Sequence, residues 1–324
     1  MQSNVKIFAG SSGKRFAEKI CSYLGMPLSK SEVINFSDGN TYVKACETVR
    51  GSDVYIVQPI GFRPNDAFVE LLFWTDAFKR ASAQSVTAII PYFSYAKADK
   101  KDEPRVSIRA RVCADCMEVS GVDRVVTMDL HSPQIQGFFR KPVDNLYGMP
   151  VLCEYMKQMA IPDLVVVSPD AGFAKTARKF ACYLNTDLVI GEKARCGHDE
   201  NAEIMNVIGD VSGKNTIIVD DFSLSGITLI KMAQALKKRG ANRIFSTITH
   251  MLLGEKAIKL VEDSPIEFLL GMDTIENTFA ERSKKIRIIS AAPLFAEAIM
   301  RIQNKESLSP LFDYVLEDIV NKCW

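Results

Sequence analysis

The stretch Thr216-Ile-Ile-Val-Asp-Asp-Phe-Ser-Leu-Ser-Gly-Ile-Thr228 places two carboxylates, a set of hydroxyls and a glycine between an apolar run and an amphipathic one. The backbone N–H groups from Leu224 to Thr228 fall at the start of a helical pattern. There they lack intrahelical acceptors and the helix dipole is positive, which suits a phosphate. Ser225 and Thr228 can add hydroxyl donors. Asp220 and Asp221 just upstream can hold ribose hydroxyls or a magnesium-bound group. This is the chemistry of a phosphosugar loop. Taken alone, the same residues equally suit a strand, an Asp-rich turn and an ordinary helix cap.

Four other polar segments carry residue types that do chemistry: Phe36-Ser-Asp-Gly-Asn40, Asp129-Leu-His131, Ser168-Pro-Asp170-Ala-Gly172 and Lys193-Ala-Arg195. Two cations one residue apart on an extended loop face the same side, so Lys193 and Arg195 can reach one anionic group. They also read as solvated surface charges. His131 alone reads as a histidine at a strand end, and Phe36 as a core aromatic.

The elements that must position these segments alternate between apolar strand candidates and helical patterns. The first half has strands at Val5–Phe8, Val54–Gln58, Val86–Pro91 and Val125–Asp129, with helices near Lys14–Leu24, Asp66–Ala81 and Ile108–Val119. The second half has strands at Leu164–Ser168, Leu188–Ile190, Thr216–Asp220, Ile244–Thr249 and Phe268–Gly271, with helices near Ala174–Leu184, Thr228–Lys238 and Glu255–Glu262. Such alternation predicts an α/β chain of two domains, 1–147 and 148–324, each a mainly parallel sheet flanked by helices. Each polar segment ends or follows a strand, and open parallel sheets bind ligands beyond the carboxyl ends of their strands.

Composition narrows the class. The 324 residues carry a net charge of +1 and 47% hydrophobic content. That charge argues against a nucleic-acid partner, and the hydrophobic content can fill two cores. No apolar run is long enough to span a membrane, and Met1 to Phe8 leads directly into a strand, so a cytoplasmic protein is expected. The eight cysteines are scattered, which suggests reduced thiols. Cys113-Ala-Asp-Cys116 falls inside a helical pattern with no histidine nearby, so buried thiols are expected in place of a zinc site. The tail from Asp313 to Trp324 reads as a short amphipathic helix that packs on a neighbouring subunit.

These segments, in this order from about Val5 to Phe312, resemble the ribose-phosphate pyrophosphokinase family, also called phosphoribosyl pyrophosphate synthetases. Longer stretches are similar as well: Val49 to Pro59, Asp129 to Phe139, and Ala202 to Met205. The resemblance implies two similar phosphoribosyltransferase-like domains and transfer of the pyrophosphoryl group of Mg-ATP to the anomeric hydroxyl of ribose 5-phosphate. By similarity Lys193 and Arg195 are catalytic, on a mobile basic loop continued by Cys196 to Asn201. Phe36, Asp38, Asn40, Lys97, Asp99 and His131 serve ATP, and His131 and Asp170 the Mg2+ ion. Asp220, Asp221, Ser223, Ser225, Gly226 and Thr228 hold ribose 5-phosphate.

The chain departs from the family pattern at Asn40 for Glu, Lys97-Ala98 for Arg-Gln, Phe173 and Ile227 for glycine, and Leu224 for an acid. The resemblance further implies a homo-oligomer, dimer-based up to a hexamer, with sites between domains that borrow from a neighbouring subunit. An ADP or phosphate effector would fall near Arg50 and Ser52. A catalytically silent regulatory homologue is the alternative; retention of Lys193, Arg195, His131, Asp170, Asp220 and Asp221 favours the enzyme. A plain phosphoribosyltransferase would lack the amino-terminal ATP segments.

Overall fold

A computed structural model describes residues 4–195, 203–312 and 317–323 of the chain, leaving aside the side chains of 193–195, 203–205 and 318. By Cα packing it forms two units: Met1–Tyr147 with Thr274–Glu276 and Ser290–Cys323, and Gly148–Asp273 with Asn277–Ile289.

The first unit contains β1 (Val5–Ala9), α1 (Lys14–Leu24), β2 (Ser31–Asn35), β3 (Thr41–Ala45), β4 (Asp53–Val57), α2 (Pro64–Arg80), β5 (Ser85–Ile90), α3 (Arg109–Ser120), β6 (Arg124–Met128) and β7 (Val143–Leu146). Its sheet runs β1-β4-β5-β6-β7, parallel throughout, and β2 and β3 form a separate antiparallel hairpin. Strands such as Asp53-Val-Tyr-Ile-Val57 are apolar on both faces because helices cover both. The core is aromatic at its centre. Phe8 and Phe78 have ring centroids 4.8 Å apart, Trp74 stacks on Phe78 at 5.3 Å, and Trp74 Nε1 donates to Glu70 Oε1 at 3.1 Å.

In the second unit the order is α4 (Met149–Gln158), β8 (Leu164–Ser168), α5 (Ala174–Leu184), β9 (Leu188–Arg195), β10 (Glu203–Ile208), β11 (Asn215–Ser223), α6 (Ile227–Lys238), β12 (Ile244–Met251), α7 (Glu255–Glu262), β13 (Leu269–Met272) and β14 (Ile286–Ile289). The sheet order is β10-β9-β8-β11-β12-β13-β14, parallel except for the β9–β10 hairpin. Val165, Val167, Ile218, Ile248 and Leu269 from the sheet meet Leu229, Met232, Leu236 and Val261 from α6 and α7 in one core.

The linear division of the chain differs from the packing at the carboxyl end. Helices α8 (Ala292–Asn304) and α9 (Glu317–Val320) belong to the first unit. Phe16 of α1 meets Phe295 edge-on at 5.4 Å, Tyr23 donates to Glu297 at 2.7 Å, and Gln303 Nε2 donates to the Tyr55 hydroxyl at 2.8 Å. Within the chain, the described part of the tail packs on the first unit. Ile319, Val320 and Cys323 are buried in this same chain, and the Ser290 amide donates to the Cys323 carbonyl at 2.6 Å. Its apolar side chains find a home against α8, which sequence periodicity alone does not locate.

The described cysteines are free thiols. Cys113 lies buried within α3, and burial pushes its thiol up to about 12. Among the described residues no helix is long and apolar enough to cross a membrane.

Trp74 is fully buried and satisfies one oxygen of a buried carboxylate, so Trp74→Ala should cost about 3–5 kcal/mol. A drop in the urea midpoint followed by circular dichroism checks this, and an unshifted midpoint would contradict the central place given to this ring.

Candidate functional site

Asp220 and Asp221 both lie within a strand, where the sequence placed Asp220 at the strand's end and Asp221 just beyond it. Strand β11 runs on to Ser223 because β12 continues beside it, pairing Asp220 with Ile248, Phe222 with His250 and Ser223 with Met251. After Ser223 the chain turns through Leu224 and Ser225 to Gly226, which has φ +71 and starts α6. A left-handed turn there favours glycine over any residue with a Cβ. The Ser223 hydroxyl accepts from the Gly226 amide at 3.1 Å, and the Ser225 hydroxyl accepts from the Ile227 amide at 3.4 Å. Among the described residues no group accepts from the amides of Leu224, Ser225 or Thr228. A helix of 12 residues therefore begins with open donors, the local condition for anion binding.

Strands β8 and β11 are neighbours, paired at Val167 and Ile218, so the loop after β8 stands beside the end of β11. That loop carries Asp170. Its Oδ1 accepts from the Phe173 amide at 3.0 Å, and the Ser168 hydroxyl donates to the Asp170 carbonyl at 2.7 Å. Phe173 can replace a glycine here because its backbone amide makes the contact. Gly191 of β9 is pressed against the same loop: a Cβ there would collide with Met232 and lie 2.7 Å from the Pro169 carbonyl oxygen.

The sheet thus brings Asp170 near the adjacent pair Asp220 and Asp221, far from it in sequence. Burial, then the charge of Asp221 and a hydrogen bond with its carboxyl, then the charge of Asp170, hold the Asp220 carboxyl well above the ordinary aspartate range. Negative charge so concentrated suits a divalent cation carried by an anionic substrate. The described residues contain no cluster of three His, Cys, Asp or Glu side chains placed to hold a metal ion alone. Carboxylates are hard oxygen donors of the kind Mg2+ favours, which is the chemistry this donor set offers.

Lys193 and Arg195 were expected on an extended loop; their main chain is strand. Strand β9 continues to Arg195 because β10 pairs with it, Met205 opposite Lys193 and Glu203 opposite Arg195. The last pair of β9 with β8 is Ile190 with Ser168, so Lys193 and Arg195 extend past the carboxyl end of β8, on the edge that carries Asp170. The expected continuation of this basic segment, Cys196 to Asn201, lies outside the described residues.

In the first unit, Phe36, Asp38 and Asn40 share the turn between β2 and β3. The Phe36 amide donates to the Asn40 carbonyl at 2.8 Å, and Asp38 Oδ1 accepts from the Asn40 amide at 2.9 Å. The backbone of Asn40 closes the turn. Phe36 is 49% exposed, so the reading of a core aromatic does not hold; its ring is open to a planar partner. Lys97 ends a 3-10 turn after β5, its ammonium 6.0 Å from the Tyr92 ring centroid. Asp99 follows it, half-buried, and exposed His131 follows the neighbouring strand β6. These three share the carboxyl edge of the first sheet, whereas the Phe36 turn belongs to the separate hairpin.

Sequence reasoning passed over Asn145. It is buried in β7, accepts from the Leu130 amide at 3.1 Å, and with the Asp129 amide bonded to the Leu146 carbonyl at 2.9 Å holds the bend before His131. Asp129 in that bend has φ +39. A lone amide inside the short run Val143-Asp-Asn-Leu146 was the available signal, hidden because this segment read as a domain break.

Comparison with known proteins bears on the same segments. Residues 5–121 match the model of the N-terminal domain of ribose phosphate pyrophosphokinase, and residues 197–313 match that of the phosphoribosyl synthetase-associated domain. The ribose-phosphate pyrophosphokinase of Wolinella succinogenes is 45% identical over 307 residues, 95% of this chain and 98% of the relative. That of Chlorobaculum tepidum is 45% identical over 316 residues, 97% and 96% of the two chains. The crystal structure of phosphoribosylpyrophosphate synthetase from Mycobacterium smegmatis superposes with a TM-score of 0.88 at 32% identity, covering 94% of this chain and 100% of that one.

The Asp220 carboxyl has a definite consequence for stability. An unfolded aspartate titrates near about 3.9, and the folded value is raised, so folding takes up a proton. The contribution to stability is complete below about pH 4 and is lost as pH rises through the folded pKa. Asp220→Asn removes that loss and should melt above the wild type at about pH 7.5, with the gain shrinking toward about pH 4. Melting scans without nucleotide, sugar phosphate or divalent cation test this; a gain of the same size at both pH values would contradict it.

Proposed function

The chain belongs to the ribose-phosphate pyrophosphokinase family and is an enzyme of that class; from this premise we propose how its own residues carry the reaction. The pyrophosphoryl group of ATP passes to the anomeric hydroxyl of ribose 5-phosphate, giving 5-phosphoribosyl 1-pyrophosphate and AMP. A bond forms from the sugar oxygen to the β-phosphorus, the bond from that phosphorus to the α,β-bridging oxygen breaks, and the hydroxyl proton leaves. The protein's task is to align these atoms and offset polyphosphate charge.

The observation that carries the assignment is the gathering of open amides, hydroxyls and carboxylates at one sheet edge. The 5-phosphate takes the amides of Leu224, Ser225 and Thr228 with the Ser225 and Thr228 hydroxyls, while Ser223 and Gly226 shape the turn. Asp220 and Asp221 accept from the ribose hydroxyls. Lys193 and Arg195 extend from β9 to stabilise charge on the transferring phosphoryl group and the departing AMP oxygen. In the first unit, Phe36 stacks on adenine and Asp38 accepts from its exocyclic amine, with Asn40 closing the turn. Lys97, Asp99 and His131 serve the nucleotide's polar groups.

Mg2+ bound with ATP neutralises polyphosphate charge, and Asp170 and His131 are the protein groups assigned to it. Asp170 is a hard oxygen ligand, whereas His131 acts through water or directly on phosphate.

A cytoplasmic location fits these metabolites. Exposed Val69 and Phe73 on α2, with Val112 and Val119 on α3, favour a homo-oligomer, dimer-based and up to a hexamer. An ADP or phosphate effector finds a cation in Arg50, whose guanidinium donates to the Ser82 hydroxyl at 3.2 Å.

ATP and ribose 5-phosphate should yield AMP and a product that a phosphoribosyltransferase consumes. Lys193→Ala and Arg195→Ala should each lower kcat by about 10²- to 10³-fold, the scale for losing one transition-state donor. Asp221→Asn should chiefly raise KM for ribose 5-phosphate. Initial rates by AMP release read all three; a kcat unchanged in both cation variants would remove them from the catalytic role.

A further inference from the structure

We propose that Asn277 is a positioning residue for the sugar-phosphate loop, acting through Leu252 and Ser223; the proposal rests on the reading of Ser223 to Thr228 as the 5-phosphate cradle. Asn277 lies in no motif, on the segment between β13 and β14, and is 3% exposed. Its Nδ2 donates to the carbonyls of Met251 at 3.1 Å and Leu253 at 3.0 Å. Its Oδ1 accepts from the amides of Phe279 at 3.2 Å and Ala280 at 3.0 Å. An asparagine amide has two N–H donors and one oxygen with two lone pairs, so every valence is used.

The residue between the two clamped carbonyls is Leu252. Its amide donates to the Ser223 carbonyl at 3.1 Å, and the buried Ser223 hydroxyl in turn accepts from the Gly226 amide at 3.1 Å. A continuous path of hydrogen bonds therefore runs from Asn277 through the end of β12 to the left-handed glycine that opens α6. The clamp acts on both sides of the residue whose amide bonds the Ser223 carbonyl. With Leu252 held, the open amides of Leu224, Ser225 and Thr228 keep the spacing a phosphate requires before it arrives, and less ordering accompanies binding.

The chemistry of the clamp needs a neutral amide of this length. Leucine has similar bulk but neither donates nor accepts. Aspartate retains the two acceptances and replaces the donations with repulsion between its oxygen and two carbonyls. Both substitutions release Leu252.

The test compares KM for ribose 5-phosphate and for ATP in the full-length enzyme across four variants. Asn277→Leu and Asn277→Asp should each raise KM for ribose 5-phosphate by about tenfold or more, about 1.4 kcal/mol or more, with KM for ATP within about twofold. Ile266→Ala, in the same core at the amino end of β13, supplies comparable destabilisation and should leave KM for ribose 5-phosphate unmoved. Ser225→Ala tests the cradle itself and should raise the same KM.

If Ser225→Ala raises it while the Asn277 variants behave like Ile266→Ala, the positioning role is overturned and the cradle stands. If Ser225→Ala leaves it unchanged, the cradle reading fails and the proposal falls with it. Should Asn277→Leu fail to fold, Asn277→Asp, nearly the same size and shape, decides alone.

Discussion

The parallel pairing of β9, β8, β11 and β12 is the constraint on which the rest depends. Parallel strands run in one direction, so their carboxyl ends share one edge, and helices on both faces disfavour charged side chains in the strand interiors. Residues that must meet solvent or ligand therefore collect where strands end. Here β8 stops at Ser168 while β11 continues along β12 to Ser223, so Asp220 and Asp221 stand beside the loop that holds Asp170. The desolvation and mutual repulsion evident at Asp220 are a cost of this arrangement. Concentrated negative charge of this kind suits a cation.

The two units use one architecture in opposite ways. In the first, the turn Gly10-Ser-Ser-Gly13 joins β1 to α1 as Leu224 to Gly226 joins β11 to α6. Its donors, however, are filled from within. Glu70 accepts from both the amide and the hydroxyl of Ser11, and Gln58 Oε1 accepts from the amide and hydroxyl of Ser12 at 3.2 and 2.8 Å. A Cβ at Gly13 would collide with the Val57 carbonyl, so the turn is packed shut. Glu70 is itself tied to Trp74 in the aromatic core, which makes this turn part of the fold's interior. The second unit leaves its amides open and shows instead two apolar side chains at the rim, Leu224 at 52% and Ile227 at 47% exposure.

Strand and helix identity were legible where periodicity was strong. Val5, Val54, Val86, Val125, Leu164 and Ile244 each open or lie within real strands, and Lys14–Leu24, Ala174–Leu184 and Glu255–Glu262 are helices with the expected limits. The hairpin of β2 and β3 was not legible, because Ser-Glu-Val-Ile-Asn and Thr-Tyr-Val-Lys-Ala are half exposed and have short apolar faces. Strand β10 was missed because its identity rests on pairing with β9, which local spacing does not reveal, and that pairing makes the main chain of Lys193–Arg195 strand. Strand β7 and helix α8 went unread, one short and broken by Asp144 and Asn145, the other beyond the last polar motif.

Sequence alone determined the alternation of strands and helices, the family, and the identity of the charged and hydroxyl-bearing residues, since each follows from local spacing or residue type. Tertiary structure decided which of them act together. Strand order and register placed Asp170 against Asp220, extended β11 past its aspartates, and sent Ser290–Cys323 back to the first unit. It also gave Asn277 its four partners, a role invisible in the chain because an amide's function lies in the backbone groups that packing brings to it. Local patterns follow from bonds between near neighbours; the site follows from contacts between residues that only the closed sheet makes adjacent.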